Sequence, residues 1–276
     1  MSVDVPAWED PRRVLGRHGL APKRAFSQNF LVSKSAVESI ADAAVRAPGE
    51  RVIELGPGLG TLTAALLRRG GRVTAVERDR DMLDVLRAEL GGVEALTLLE
   101  GDAATVDLAA LAAGERVAVA GNLPYAITGA ILRNLTEQRA LLTRAVVMVQ
   151  KEVRDRLIAE PGSKAWGALT VFVQASFEAR AHLKVPAGAF HPPPKVDSAV
   201  VVLTPRAVPL AEETETFREV VRAIFDARRK TLRNALAQAL GPTRTDAALA
   251  AAGIDGKRRG ETLSIPELAS LAAAVR

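Results

Sequence analysis

The stretch from residue 52 to residue 71 constrains the fold more than any other part of the chain. Val52-Ile53-Glu54-Leu55 is a short apolar run of strand character. It enters Gly56-Pro57-Gly58-Leu59-Gly60, and a helical stretch then runs from Thr61 to Arg69 and closes at Gly70-Gly71. A glycine-rich turn between a buried strand and a helix is the opening unit of a doubly wound α/β fold. The unit recurs. Strands are expected at 73–76, 96–99, 117–120 and 146–149, and helices at 35–47 and 81–90. This alternation predicts a mainly parallel sheet with helices on both faces. Residues 169–177 and 198–203 are rich in strand formers and flank the proline-rich 186–197, so they are expected to pair antiparallel at one edge of the sheet. The pattern changes after Pro205. Phe217, Val220, Val221, Ile224 and Phe225 recur at helical spacing, as do Leu232, Leu236 and Leu240, and two more helices are expected at 246–252 and 266–275. The expected division is an α/β domain over 1–206 and a small all-helical domain over 207–276.

The glycine spacing discriminates among ligands. Dinucleotide enzymes use GxGxxG, and both registers fail here because position 61 is threonine. The phosphate-cradling GxxxxGK[ST] fails as well. What remains is ExGxGxG, the loop of S-adenosylmethionine methyltransferases, whose ligand carries a ribose and an adenine but no phosphate. Such a ligand requires close backbone approach, which glycine permits. Two acids reinforce the assignment. Glu77 ends the second strand, 21 residues after Gly56, where an acid can accept both ribose hydroxyls. Asp102 follows the third strand and can accept the adenine amino group. All three positions lie at strand C-termini, where open α/β sheets bind ligands.

Asn122-Leu123-Pro124-Tyr125 ends the fourth strand. It is a variant of the [DNS]-P-P-[FYW] tetrad of amino-methyltransferases. The exocyclic amine of adenine is a poor nucleophile because its lone pair is delocalised into the ring. An asparagine oxygen and a backbone carbonyl can accept its two N–H bonds, which orients the nitrogen and favours its pyramidal form. An aromatic ring then holds the base. Catalysis of this kind is positioning plus hydrogen bonding, and the target base must be unpaired or flipped.

Composition excludes other chemistries. The absence of cysteine removes disulfides, thiol nucleophiles and iron–sulfur clusters, and the three histidines His18, His182 and His191 make no HExxH pair, so no metal is expected. No apolar run approaches the ~20 residues of a membrane span, and Asp4, Glu9 and Asp10 near the N-terminus do not fit a signal peptide. A cytoplasmic protein is expected, and a monomer, since no heptad seam is evident. The net charge of 37 − 32 = +5 is unevenly spread. Arg12, Arg13, Arg17, Lys23, Arg24 and Lys34 form an acid-free run; Arg228, Arg229, Lys230 and Arg233 form a second cluster, and Lys257, Arg258 and Arg259 a third. Such blocks point to a phosphate-bearing partner. Aromatics at 4% are too few for a broad base-stacking surface.

Over essentially its full length the chain resembles the rRNA adenine N6,N6-dimethyltransferases of the small ribosomal subunit. The matching segments are 26–31 (FSQNFL), 54–60 (ELGPGLG), 122–125 (NLPY), 150–153 (QKEV), 190–198 (FHPPPKVDS) and 228–234 (RRKTLRN). The resemblance implies a Rossmann-like methyltransferase sheet with a helical C-terminal domain. It implies that Asn29, Leu31, Gly56, Gly58, Glu77, Asp102 and Asn122 hold S-adenosylmethionine. It further implies that Asn122, Leu123, Pro124 and Tyr125 hold the target adenine and that Phe190 closes on the base's other face. Lys195, Arg228, Arg229, Lys230 and Arg233 would grip 16S rRNA within the 30S particle, where the family dimethylates two adjacent adenines in a hairpin loop near the 3′ end. The chain departs from the family at Ser27, where glycine is usual, and at Ala126 and Thr128, which replace Asn and Ser. Threonine keeps a hydroxyl and alanine loses a polar group, so contacts behind the target base are expected to differ. Resistance-type methylases of 23S rRNA share the tetrad but read HPKPKVN where this chain reads HPPPKVD at 191–197.

Overall fold

The computed structural model describes residues 4–23 and 28–275. Arg24 of the first basic run and Phe26 and Ser27 of the N-terminal motif lie outside the described residues. In chain order the elements are α1 (Pro11–Arg17), β1 (Phe30–Leu31), α2 (Lys34–Ala44), β2 (Arg51–Leu55), α3 (Thr61–Arg68), β3 (Arg72–Glu77), α4 (Arg80–Leu90), β4 (Leu96–Glu100), α5 (Leu108–Ala112), β5 (Val117–Asn122), α6 (Thr128–Glu137), β6 (Leu142–Gln150), α7 (Lys151–Leu157), α8 (Ala168–Ser176), β7 (Phe177–Val185), β8 (Phe190–His191), β9 (Ser198–Pro205), α9 (Glu215–Asp226), α10 (Leu232–Leu240), α11 (Pro242–Ala252) and α12 (Ile265–Ala274).

Seven strands form one sheet in the order β4-β3-β2-β5-β6-β9-β7. Strands β4, β3, β2, β5 and β6 run parallel, and β9 runs antiparallel to β6, with Gln150 opposite Ser198. From β2 the chain builds outward through β3 and β4, then returns to place β5 on the other side of β2. That reversal is the switch point, and the crevice beyond the C-termini of β2 and β5 is where such a sheet accepts a ligand. The strands read as near-continuous apolar runs because helices cover the sheet. Helix α2 shows how. It is N-capped by Ser33, and Val37, Ile40, Ala41 and Ala44 recur at helical spacing to meet Ala118, Ala120, Val146 and Met148 of the sheet. Strand β1 pairs with β8 in a separate two-stranded sheet, Leu31 opposite Phe190.

The chain divides into two compact units, residues 1–154 with 179–205 and residues 155–178 with 206–276. The second unit therefore contains a segment that the expected division at 206 left in the α/β domain. Its reason is packing. Trp166, Val171 and Ala175 share one buried cluster with Phe217, Val221, Leu236 and Leu268, and the Phe172 and Phe217 rings meet edge to face.

The structure also corrects the reading of 169–177 as strand. Residues 168–176 are helix α8, and the strand is 177–185. Thr170 organises the helix start: its hydroxyl donates to the Arg156 carbonyl and accepts from the Gly167 N–H. Thr170, Val171, Val173, Ala175 and Ser176 are all buried. A helix apolar on most sides carries no single stripe, so its period is not readable from sequence. The expectation for 198–203 agrees with β9.

Candidate active site

Gly56 and Gly58 adopt left-handed φ of +70° and +56° as β2 turns into α3. A Cβ on Gly58 would lie 3.0 Å from the Phe30 ring, so only glycine allows the N-terminal segment to close over this turn. Glu77, at the end of β3, organises the same turn from the other side. Its Oε2 accepts from the Gly58 N–H at 3.0 Å, and its Oε1 accepts from the N–H groups of Arg78 and Asp79 at 2.8 and 2.9 Å. Burial raises the Glu77 carboxyl above its ordinary value, against the pull of these three backbone donors. A carboxylate has about four lone-pair sites, so one on Oε2 remains for a ligand hydroxyl.

Asp102 follows β4. Its Oδ1 accepts from the Ala104 N–H at 2.9 Å and its Oδ2 pairs with Arg78 at 3.0 Å. The Arg78 contact was not legible in the sequence. Nor was the chemical state of Glu54, the first residue of the loop motif. Glu54 is only 1% exposed and its Oε2 has no hydrogen-bond partner. Desolvation pushes its carboxyl up to about 8, the negative charge of Glu77 adds to the shift, and the adjacent Thr63 hydroxyl opposes it. The shift favours the protonated carboxyl at neutral pH.

Asn122 ends β5. Its Nδ2 donates to the Asn29 carbonyl at 3.0 Å, which leaves Oδ1 as an acceptor. The Pro124 carbonyl is engaged by the Ile127 N–H and the Thr128 hydroxyl, both at 3.1 Å, so the hydroxyl retained at Thr128 closes the turn behind the tetrad. The Leu123 carbonyl accepts no hydrogen bond among the described residues. Tyr125 follows on a short 3₁₀ turn, Tyr125–Ile127, and its phenol meets the Ser198 hydroxyl at 2.5 Å. Burial raises the Tyr125 phenol, and the Ser198 contact partly offsets that.

One pocket gathers these groups. Asn29, Leu31, Gly56, Gly58, Glu77 and Asp102 line it, and so do Asn122, Leu123, Pro124 and Tyr125. The N-terminal segment is fastened across it. Lys23 Nζ and Gln28 Nε2 both bond Asp79, each at 2.7 Å, and Asn29 is held by Asn122. Nothing in the local sequence marks Asp79 as the anchor, because its partners lie more than 50 residues away. Phe190 stands apart. It is 3% exposed, packs in the core with Leu31 and Val200, and is not part of the pocket wall.

The basic clusters separate into two kinds of residue. Arg228 bonds Glu261 at 2.6 Å and the carbonyls of Ser163 and Lys164, and Arg233 forms a two-pronged pair with Asp246. Arg258 pairs with Glu267. In the N-terminal run, Arg12 pairs with Asp10, Arg17 with Glu9 and Glu89, and Lys23 with Asp79 and Asp81. Arg229, Lys230, Lys257 and Lys195 are exposed, with no ion-pair partner among the described residues.

A glycine turn and an Asn-Leu-Pro-Tyr tetrad on adjacent strands at the switch point of such a sheet define a Rossmann-like methyltransferase. Comparison with known proteins narrows this. The family described as ribosomal RNA adenine dimethylase matches residues 20–275. A relative from Anaeromyxobacter dehalogenans, named ribosomal RNA small subunit methyltransferase A, is 49% identical over 278 aligned residues, covering 96% of this chain and 97% of its own. A crystal structure of a dimethyladenosine transferase from Plasmodium falciparum superposes with a TM-score of 0.72 at 26% identity, covering 88% of this chain and 95% of that one. The 23S rRNA methyltransferase ErmE gives 0.68 at 30% identity, covering 90% and 99%. The chain belongs to the ribosomal RNA adenine dimethylase family and is a methyltransferase of that class.

Proposed function

We propose that this chain transfers methyl groups from S-adenosylmethionine to N6 of two adjacent adenines in a hairpin loop near the 3′ end of 16S rRNA, within the 30S particle or its precursor. The observation that carries the reading is the orientation of Asn122, whose Nδ2 is committed to Asn29 and whose Oδ1 is left to accept an amine N–H. The wall of the pocket fits the cofactor. The glycine turn admits close approach, Glu77 retains a lone pair for a ribose hydroxyl, and Asp102 offers acceptors for an adenine amine beside the Arg78 guanidinium. When bound, S-adenosylmethionine supplies an electrophilic methyl group on a sulfonium.

The protein's part is positional. Asn122 Oδ1 and the Leu123 carbonyl accept the two N–H bonds of the target amine, which turns its lone pair out of the ring plane. The Tyr125 ring holds the base by stacking. Orientation and fixed dipoles of this kind suffice for transfer without a strong base, the amine proton passing to solvent after attack. Arg229, Lys230 and Lys195 contact phosphates in this reading, whereas Arg228 and Arg233 shape the helical unit. The small-subunit assignment rather than a 23S target rests on the name and 49% identity of the relative from Anaeromyxobacter dehalogenans, against 30% for ErmE.

The test is transfer from labelled S-adenosylmethionine to unmethylated 30S particles, with 50S subunits and naked 23S rRNA in parallel and the product nucleosides identified. N6,N6-dimethyladenosine on 30S alone is expected. Product on 23S rRNA would overturn the substrate assignment. Asn122→Ala should lose transfer by at least two orders of magnitude, because it removes a bond made to the reacting amine. The thermal shift caused by the cofactor should shrink but not vanish in that variant, because Asn122 also fastens Asn29 in the pocket wall, and near-normal turnover would remove Asn122 from the proposed role.

A further inference from the structure

Tyr125 stands on a single 3₁₀ turn between β5 and α6, a short support for a ring that must present one face to a base. Its backbone is fixed through the Pro124 carbonyl, but nothing on its own turn fixes the ring. The far end of the ring is held instead by another element. Ser198, the first residue of β9, places its hydroxyl 2.5 Å from the phenol oxygen. Ser198 is 1% exposed and is opposite Gln150 in the β6–β9 register. Its neighbour Asp197 is tied on both sides: the Asp197 carbonyl accepts from the Lys151 N–H at 2.9 Å, and its carboxylate accepts from the Ala187 N–H at 3.0 Å. The hydroxyl therefore comes from a buried strand end two strands away from β5, the strand that leads into Tyr125.

We propose that Ser198 is a positioning residue for methyl transfer, holding the Tyr125 phenol so that the ring keeps the angle required to stack on the acceptor base. The role rests on the proposed function of Tyr125 as the stacking residue. It explains why a tyrosine, rather than a ring without a hydroxyl, serves a turn with so little support of its own. Two hydroxyls this close exclude water, and each satisfies a polar atom of the other that the fold has desolvated.

The experiment compares the wild-type protein with Ser198→Ala, Tyr125→Phe and the double variant, using 30S particles as substrate. Ser198→Ala is expected to lower kcat roughly three- to tenfold, the range of one neutral hydrogen bond. The affinity for S-adenosylmethionine should hold, and the KM for RNA should change less than kcat, since the phosphate-contacting cations are untouched and only the angle of one stacking ring is released. Tyr125→Phe should lose a similar factor. The double variant should be no slower than either single one, because no phenol remains to be held. Losses that multiply in the double variant, or wild-type kcat in Ser198→Ala, would overturn the proposal. A second readout is independent of activity. Tyr125 is the only tyrosine in the chain, so the ultraviolet titration of tyrosinate reports it alone. Ser198→Ala should raise its midpoint, and an unmoved or lowered midpoint would overturn the contact. Absence of transfer by the wild-type protein would overturn the functional reading and this role together. An unmoved titration in an active enzyme would overturn this role alone.

Discussion

Glu54 illustrates how much chemistry a motif letter conceals. The sequence places an acid at the start of the glycine loop, and burial then favours its protonated form. With its carboxyl pushed from an ordinary 4.5 to about 8, folding retains a proton that the unfolded chain releases. A raised folded value means that stability is fully present below about pH 4.5 and declines as pH rises toward 8. Glu54→Gln removes this slope while keeping the shape. The variant should match the wild type near pH 5 and exceed it by a few kcal/mol at pH 8. Denaturant midpoints across that range measure it, and parallel curves would show that Glu54 is ionised in the folded protein. Among site residues, Gly56, Gly58, Glu77, Asp102 and the tetrad were legible because each occupies a fixed offset from a strand end. The Asp79 anchor, the Arg78–Asp102 pair and the Ser198 contact were not, because they join residues 24 to 73 positions apart.

At the scale of elements, the sequence was readable for most helices with one buried face, although α6, with Ile131, Leu132 and Leu135 buried, was not expected, and it was silent where burial is general or the element is short. Helices α2, α4, α9 and α10 carry clear apolar stripes, whereas α3, buried from Leu62 through Leu67, was readable from the glycine turn that opens it. Helix α8 carries no such stripe, and α1, α5 and α7, of seven residues or fewer, give too few turns for a period to emerge. Strand β6 hides a different feature. Arg144 lies in its apolar run at 4% exposure, bonding Glu50 and reaching the Ala43 and Ala44 carbonyls at the end of α2. It joins sheet, helix and loop at one point. Arg144→Met keeps volume but strands Glu50 and the helix-end carbonyls. A loss of about 3 kcal/mol in unfolding free energy is expected, because one partner of a buried pair is left behind. Adding Glu50→Gln should restore part of that loss by removing the orphaned charge. A single variant with an unchanged denaturant midpoint would show that the pair contributes nothing net.

For the whole molecule the relevant quantity is charge, and counting it along the sequence misassigns some of it. Acid-free runs suggested three patches, but in the first Asp10 and Glu9, just before the run, pair with Arg12 and Arg17, and the distant Glu89, Asp79 and Asp81 hold Arg17 and Lys23, while Glu261, Asp246 and Glu267 occupy Arg228, Arg233 and Arg258. In the helical unit the backbone then merges what is left. Thr231 and Arg259 form a bridge, the Leu232 N–H donates to the Arg258 carbonyl at 2.7 Å, and the Arg259 guanidinium donates to the Arg229 carbonyl. Arg229 and Lys230 thus share one surface with Lys257 and Arg259. Each cation that neutralises a phosphate contributes about 0.7 to 0.9 to the slope of log K against log salt. Replacing Arg229, Lys230 and Lys257 with alanine should therefore flatten the salt dependence of binding to the proposed 30S substrate by about two to three in slope. The melting temperature should hold, since these three side chains carry no ion pair in the fold. Arg228→Ala should act in the opposite way. It breaks a half-exposed pair with Glu261 and two carbonyl contacts, so about 1 kcal/mol of stability is lost while the salt slope stays near that of the wild type. If the triple variant kept the wild-type slope, the merged patch would be a solvated face. If Arg228→Ala flattened the slope without changing stability, its pairing with Glu261 would give way to RNA.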